Sequence, residues 1–226
     1  MSAAVMAEVD RVAVSGHGPN LFQMMEHAGR SLALTVLEVD ASGPVVVLAG
    51  PGGNGGGGIC AARHLANRGV DVSLVVSRPG GLAPVSAAQL ALFGETPGRV
   101  VPVDDLAGLA PAVVVDALVG YSLVGPLRGA EAELAAWACE VGAPVVALDV
   151  PSGVDATSGE ASGPCVSAAV TVTLALPKTG LDVAAVGVLW LADLGIPAGT
   201  FRRVGVEVPS GLFGSSFRVR LTPSRR

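Results

Sequence analysis

The sequence predicts an α/β fold in a single domain, built on a mostly parallel sheet. Three observations predict it. Hydrophobic residues make up 50% of the 226-residue chain and charged residues only 15%, the balance of a protein whose strands are buried on both faces. Unbroken aliphatic runs recur along the chain, with helix-period segments between them, the alternation that parallel sheets require. Between the first such run and the helical pattern after it, seven of the nine residues Gly50 to Gly58 are glycine. Strand, glycine turn and helix in that order present backbone N–H groups to a polar or phosphate ligand.

The elements follow in order. Apolar positions at helical spacing (Val5, Met6, Val9, Val12, Ala13) predict a helix over 5–17. Asn20 reads as the N-cap of a second helix over 20–39, with Leu21, Met24, Met25, Ala28, Leu32 and Val36 on one face. Strands are expected at 44–49, 71–76, 99–103, 112–118, 144–149, 168–175 and 187–191, with helices near 57–68, 84–94 and 127–141. Residues 1–200 form one unit in this reading. Residues 201–226, which carry six arginines (Arg202, Arg203, Arg218, Arg220, Arg225, Arg226), read as a basic tail or an edge strand.

Charge and cysteine usage exclude several functions. A net charge of −5 argues against general nucleic-acid binding. Cys60, Cys139 and Cys165 are odd in number and widely spaced, so neither a disulfide framework nor a thiolate metal site is expected, and a reducing cytoplasm fits. Glu8 and Asp10 interrupt any signal-peptide pattern. The apolar stretch from Leu106 to Leu127 contains Asp116, Pro111, Gly120 and Gly125, which makes it loop, strand and loop rather than a membrane span. A soluble protein is expected.

Gly50, Gly52 and Gly55 satisfy the spacing G-x-G-x-x-G. The acidic residue that would hold a ribose at the end of the second strand is missing, and Val76-Ser77-Arg78 stands there instead. Arg78 there is either a solvated arginine or a partner for a 2′-phosphate. No lysine follows the glycines, so a P-loop is excluded. Asp116 and Asp149 each close an aliphatic run, where an open α/β sheet binds its ligands; each could instead cap the turn that follows. Asn54, Asp116 and Ser152 offer oxygen donors suited to potassium, sodium or magnesium. His17, His27 and His64 are scattered, and no nucleophile elbow is present.

Six blocks then occur in order. They are Leu21 to Arg30 (LFQMMEHAGR), Gly50 to Gly58 (GPGGNGGGG) leading to Ala61-Ala62-Arg63-His64-Leu65, and Val115 to Gly120 (VDALVG). Ala147 to Asp155 (ALDVPSGVD), Ala175 to Leu181 (ALPKTGL) and Asp193 to Pro197 (DLGIP) complete them. Over roughly residues 5–198 the chain resembles the YjeF N-terminal domain family, whose best-known activity is NAD(P)H-hydrate epimerase. The resemblance implies a Rossmann-like three-layer αβα sandwich, commonly dimeric. It implies an isomerase that interconverts the R and S epimers of NADH or NADPH hydrated at C6 of the nicotinamide ring, with a separate dehydratase partner repairing the S form. It also implies a potassium ion held by Asn54, Asp116 and Ser152. Substrate contacts are implied at Gly53, Asn54, Gly55, Gly56 and Gly57, at Gly120, Tyr121, Ser122, Leu123, Val124, Gly125 and Pro126, and at Asp149, the expected proton-handling residue.

The chain departs from the family's usual G-P-G-N-N-G-G-D-G by Gly53 and Gly57, and its loop after Asp116 lacks a basic residue before Arg128. These losses of polarity, with Leu123 and Val124, point to a second reading: a repurposed enzyme that dehydrates or cyclises a less polar metabolite. A third is a non-catalytic dimeric scaffold, against which the joint presence of Asn54, Asp116, Asp149 and Ser152 counts.

Overall fold

The computed structural model describes residues 1–40 and 42–222. Eight strands form one sheet: β1 (Val45–Ala49), β2 (Val72–Val76), β3 (Arg99–Val100), β4 (Val113–Ala117), β5 (Val145–Leu148), β6 (Val170–Leu174), β7 (Val188–Ala192) and β8 (Arg218–Leu221). Their order is β3-β2-β1-β4-β5-β6-β7-β8. All neighbouring pairs are parallel except β7 with β8, which is antiparallel. Chain direction through the sheet reverses between β1 and β4, so the crevice of a doubly wound fold opens at their carboxyl ends.

Successive residues of a strand face opposite sides, and here both sides are apolar. Val45, Val47 and Ala49 of β1 join Val113, Val115 and Ala117 of β4 in a core under α2 (Leu21–Val39) and α3 (Gly53–Ala66). Val46, Leu48 and Val114 face a second core with Leu134, Ala135 and Ala138 of α5 (Gly129–Glu140). This double burial explains why the strands read as continuous valine runs rather than as alternating patterns.

Helix α2 begins with a capping box, in which Asn20 Oδ1 accepts from Gln23 N–H and Gln23 Oε1 from Asn20 N–H, both at 2.9 Å. The N-terminal helix α1 (Ala3–Val12) passes into a π turn over Ala13–His17, where Gly16 has φ of 100° and breaks the helix expected to run to residue 17. Beyond α4 (Pro84–Phe93), the strand expected at 99–103 shortens to the two-residue edge β3. After residue 200 come the end of a short helix, α6 (Ala198–Arg203), and then β8 on the sheet edge. Arg218 lies over Trp190 at 4.4 Å and donates to Glu38. Arg225 and Arg226 fall outside the described residues.

Helix α3 starts at Gly53, four residues earlier than the helical pattern suggested. Glycine is a poor helix former, but packing overrides propensity here. A Cβ on Gly58 would stand 2.4 Å from Ala117 Cβ, one on Gly56 2.6 Å from Met25 Cε, and one on Gly55 1.8 Å from Gly50 O. The glycines let the first two turns of α3 lie against the sheet and α2. Gly55, Gly56 and Gly58 are needed for this close approach.

Candidate active site at the carboxyl ends of β1, β4 and β5

Asp116 sits next to last in β4, between Leu48 of β1 and Ala147 of β5. Its carboxylate is wholly buried. It accepts the backbone N–H of Ser152 at 2.7 Å, the Ser152 hydroxyl at 2.6 Å and the Leu118 N–H at 3.2 Å. Burial pushes its pKa up, against the pull of those donors. No basic side chain pairs with it among the described residues. Ser152, also wholly buried, receives the Val119 N–H on its Oγ at 3.0 Å. That contact ties the loop after β5 to the loop after β4.

Asn54 lies in the first turn of α3, where the backbone N–H groups have no partner within the helix. Its Nδ2 is buried with no hydrogen-bond partner. Gly120 lies between Asn54 and Asp149: a Cβ there would stand 3.0 Å from Asn54 Oδ1 and 2.8 Å from Asp149 Oδ2. Only a glycine allows the two side chains to converge at this point.

Asp149 follows β5 with φ of 69°, a left-handed conformation rare outside glycine, asparagine and aspartate. The turn aims its carboxylate across the strand ends, with only 2% of the residue exposed. Oδ2 accepts the Tyr121 N–H at 3.0 Å, and Oδ1 accepts the Lys178 ammonium. Lys178, the sole lysine of the chain, is itself buried and donates to Leu174 O at 2.9 Å. Tyr121 runs back from Asp149 towards α1, its hydroxyl donating to Asp10 Oδ2 at 2.5 Å. Burial and the nearby Asp10 and Asp149 carboxylates raise the tyrosine pKa. Burial likewise raises that of Asp10, although the tyrosine hydroxyl opposes the shift.

These groups border a cavity of about 340 Å³ whose other walls include Met24, Met25, Leu148, Leu174 and Leu194. Of the residues singled out in the sequence, Gly53, Asn54, Gly57, Gly120, Tyr121, Ser122 and Asp149 line it. Gly55 and Gly56 are instead buried in helix packing. Leu123, Val124, Gly125 and Pro126 stand away from the cavity: Leu123 packs on the α5-side core and Val124 is 93% exposed. Asp116 and Ser152 lie behind the lining. Lys178 and Asp10 went unassigned in the sequence. The signal available for Lys178 was that it is the only lysine, inside Ala175 to Leu181; Asp10, beside Glu8 and Arg11 on its helix, carried none.

Two other features are accounted for without this site. Arg78 and Ser77 both donate to Glu131 Oε1, at 2.9 and 3.0 Å, so Arg78 has a carboxylate partner already. Glu26, Cys60 and His64 offer ligand atoms within 4.8 Å of one another, but Arg63 donates to both Glu26 and Cys60 Sγ and supplies the positive charge there. Burial pushes the Cys60 thiol up to about 12. A larger cleft of about 680 Å³ beside α2 and β7, lined in part by Arg30, Arg68 and Trp190, contains none of Asn54, Asp116, Asp149 and Ser152. No helix among the described residues is long and apolar enough to cross a membrane.

Comparison with known proteins agrees with this architecture. A yeast protein, ynu0, has a crystal structure that superposes with a TM-score of 0.83 at 27% identity, covering 97% of this chain and 98% of its own. An NAD(P)H-hydrate epimerase of Dehalogenimonas lykanthroporepellens is 48% identical over 100% of this chain and 94% of its own length. A bifunctional NAD(P)H-hydrate repair enzyme of Salinibacter ruber is 37% identical over 87% of this chain, which spans only 41% of that longer protein. The family model described as YjeF-related protein N-terminus matches residues 21–180, and the chain belongs to that family.

Proposed function

We propose that this protein epimerises the C6-hydroxylated hydrates of NADH and NADPH in the cavity beside Asp149. The observation that carries the reading is Asp149 itself, a buried carboxylate held in a left-handed turn against Lys178 at the cavity wall. Relatives matched over nearly their whole length bear the name NAD(P)H-hydrate epimerase, which supports the same substrate class. At about 340 Å³ the cavity is near the lower end of small-molecule sites, roughly 300–1,000 Å³. It suits the hydrated nicotinamide ring and its sugar, with the diphosphate outside near the first turn of α3, where the helix end favours negative charge.

The chemistry needs no covalent enzyme intermediate. The ring-nitrogen lone pair expels the C6 hydroxyl, and water adds back to the iminium carbon from the other face. Asp149 exchanges the proton that the oxygen gains or loses, and the adjacent Lys178 ammonium orients that carboxylate. The apolar walls exclude bulk water from the cation. Replacing Asp149 by Asn keeps one of the two acceptor oxygens but removes the proton-exchanging carboxylate and the charge that pairs with Lys178. The rate is therefore read on protein whose melting curve shows it folded. The variant is expected to epimerise NADPH hydrate about a hundredfold or more slowly. An undiminished rate would remove Asp149 from the mechanism.

Potassium fits the oxygen donors behind the cavity. Asp116 is buried without a cationic partner, Ser152 Oγ and Val119 O lie beside it, and the orphaned Asn54 amide would gain an acceptor role by turning its oxygen over. Asn54, Asp116 and Ser152 would hold the ion, which would neutralise the carboxylate and fix the two loops. Potassium should therefore raise the melting temperature of the wild type relative to a bulky organic cation, and Asp116→Ala should abolish the increment. Equal melting in both salts would rule the ion out.

A homodimer and a separate dehydratase acting on the S epimer complete this proposal. Two observations favour the alternative, a dehydrating or cyclising enzyme for a less polar metabolite: much of the cavity wall is apolar, with Met24, Met25, Leu148, Leu174 and Leu194 in it, and Lys178 beside it is already paired with Asp149. Calorimetric titration separates the two, since the epimerase reading requires heat with NADPH hydrate or ADP-ribose and the alternative requires none with either.

A further inference from the structure

Water that leaves one face of a ring and returns to the other needs proton exchange on both sides, and Asp149 serves one. Tyr121 joins Asp149 to a second carboxylate: its N–H donates to Asp149 at 3.0 Å and its hydroxyl to Asp10 at 2.5 Å. The two carboxyl groups therefore stand one tyrosine apart on the lining of the same cavity. Asp10, half-buried, comes from α1, whose buried residues are the apolar Met6, Val9 and Val12. Packing alone asks for no carboxylate on that face.

We propose that Asp10, oriented by the Tyr121 hydroxyl, is the second proton-handling residue of the cavity, paired in function with Asp149; this rests on the epimerase reading. In one direction the Asp10 carboxyl protonates the C6 oxygen. The C6–O bond breaks with its electron pair on oxygen, water departs, and the ring-nitrogen lone pair forms the C=N bond. The oxygen of an incoming water then bonds to C6, the C=N pair returns to nitrogen, and the water's proton passes to Asp149. The reverse reaction exchanges the roles, and solvent restores both carboxyls. The groups facing Asp10 suit it to the task. Burial and the Asp149 charge raise its pKa, while Tyr121 and Lys178 draw it down, leaving a carboxyl poised to give and take a proton.

The test is R-to-S epimerisation of NADPH hydrate by wild type, Asp10→Asn and Tyr121→Phe across pH, with hydrate binding and melting curves on each. Asparagine still accepts from the Tyr121 hydroxyl. Because the folded-state pKa of Asp10 is raised, its ionisation costs stability as pH climbs through that pKa. Asp10→Asn should therefore melt no lower than wild type at neutral pH. Its kcat should fall about a hundredfold or more, with KM nearly unchanged and one limb of the pH profile lost. Tyr121→Phe removes a hydrogen bond that lowers the Asp10 pKa, and should move that limb to higher pH. A normal rate and profile in Asp10→Asn would overturn the inference and leave the epimerase reading standing. No epimerisation by wild type would overturn both. Should Asp10→Asn fail to fold, an unmoved limb in Tyr121→Phe would overturn the inference on its own.

Discussion

Lys178→Met should destabilise the protein by about 3–5 kcal/mol, the cost of stripping one partner from a buried ion pair. At this chain length that lowers the melting temperature by on the order of 10 °C. The side chains of Lys178 and Asp149 are 1% and 3% exposed, so the little water that reaches them is a poor replacement for the lost ammonium. The remaining carboxylate would keep only backbone donors, Tyr121 N–H at 3.0 Å and Leu174 N–H at 3.4 Å. Removing the charge as well should recover much of the loss, because deleting both members of a buried pair is far less costly than deleting one. The double variant Lys178→Met/Asp149→Asn is thus expected to melt well above Lys178→Met alone. If the single variant melts with wild type, the pair is not structural. If the double variant melts no higher, the loss has another cause, such as the missing Lys178 bond to Leu174 O.

Gly55→Ala should be the most damaging alanine in the glycine run, costing about 3 kcal/mol or more through overpacking. Its Cβ would stand 1.8 Å from the carbonyl oxygen of Gly50, and that backbone is fixed by the Gly50 N–H bond to Ala117 O at 3.1 Å. No side chain is present to move aside. Gly53→Ala, two residues earlier, faces nothing within 4 Å. It should be neutral or slightly stabilising, since alanine is the better helix former by about 1 kcal/mol. Gly57→Ala falls between these, because its neighbour at 2.8 Å is the end of the Leu148 side chain. Chemical denaturation of the three variants checks the order. A Gly55→Ala protein as stable as Gly53→Ala would mean that the close packing of α3 on the β1 turn is not what those glycines serve.

That contrast also marks what was legible in the sequence. The central strands were, because burial on both faces leaves each as an aliphatic run such as Val113-Val114-Val115; the exposed edge β3 and the arginine-bearing β8 lack that signature. Asp116 and Asp149 were as well, since a carboxylate at the end of such a run falls on the ligand-binding edge of the sheet. The start of α3 was not, because glycine disfavours helix, and the close approach to Gly50, Met25 and Ala117 that Gly55, Gly56 and Gly58 permit is tertiary. The loop from Leu123 to Pro126 is adjacent in sequence to Tyr121 yet turns away from the cavity. Lys178 and Asp10 lie 29 residues after and 111 residues before the groups they meet. Pairings of that kind are tertiary, and no local pattern encodes them.

In the proposed reaction the cavity beside Asp149 interconverts the two epimers of hydrated NADPH. Separate incubations of the chirally pure R and S hydrates with purified protein, each followed by chromatography that resolves the epimers, test it most directly. The account predicts that both converge on the same R-to-S ratio, at a rate proportional to protein concentration and lost in Asp149→Asn. Each epimer persisting as long with the protein as without it would contradict the account.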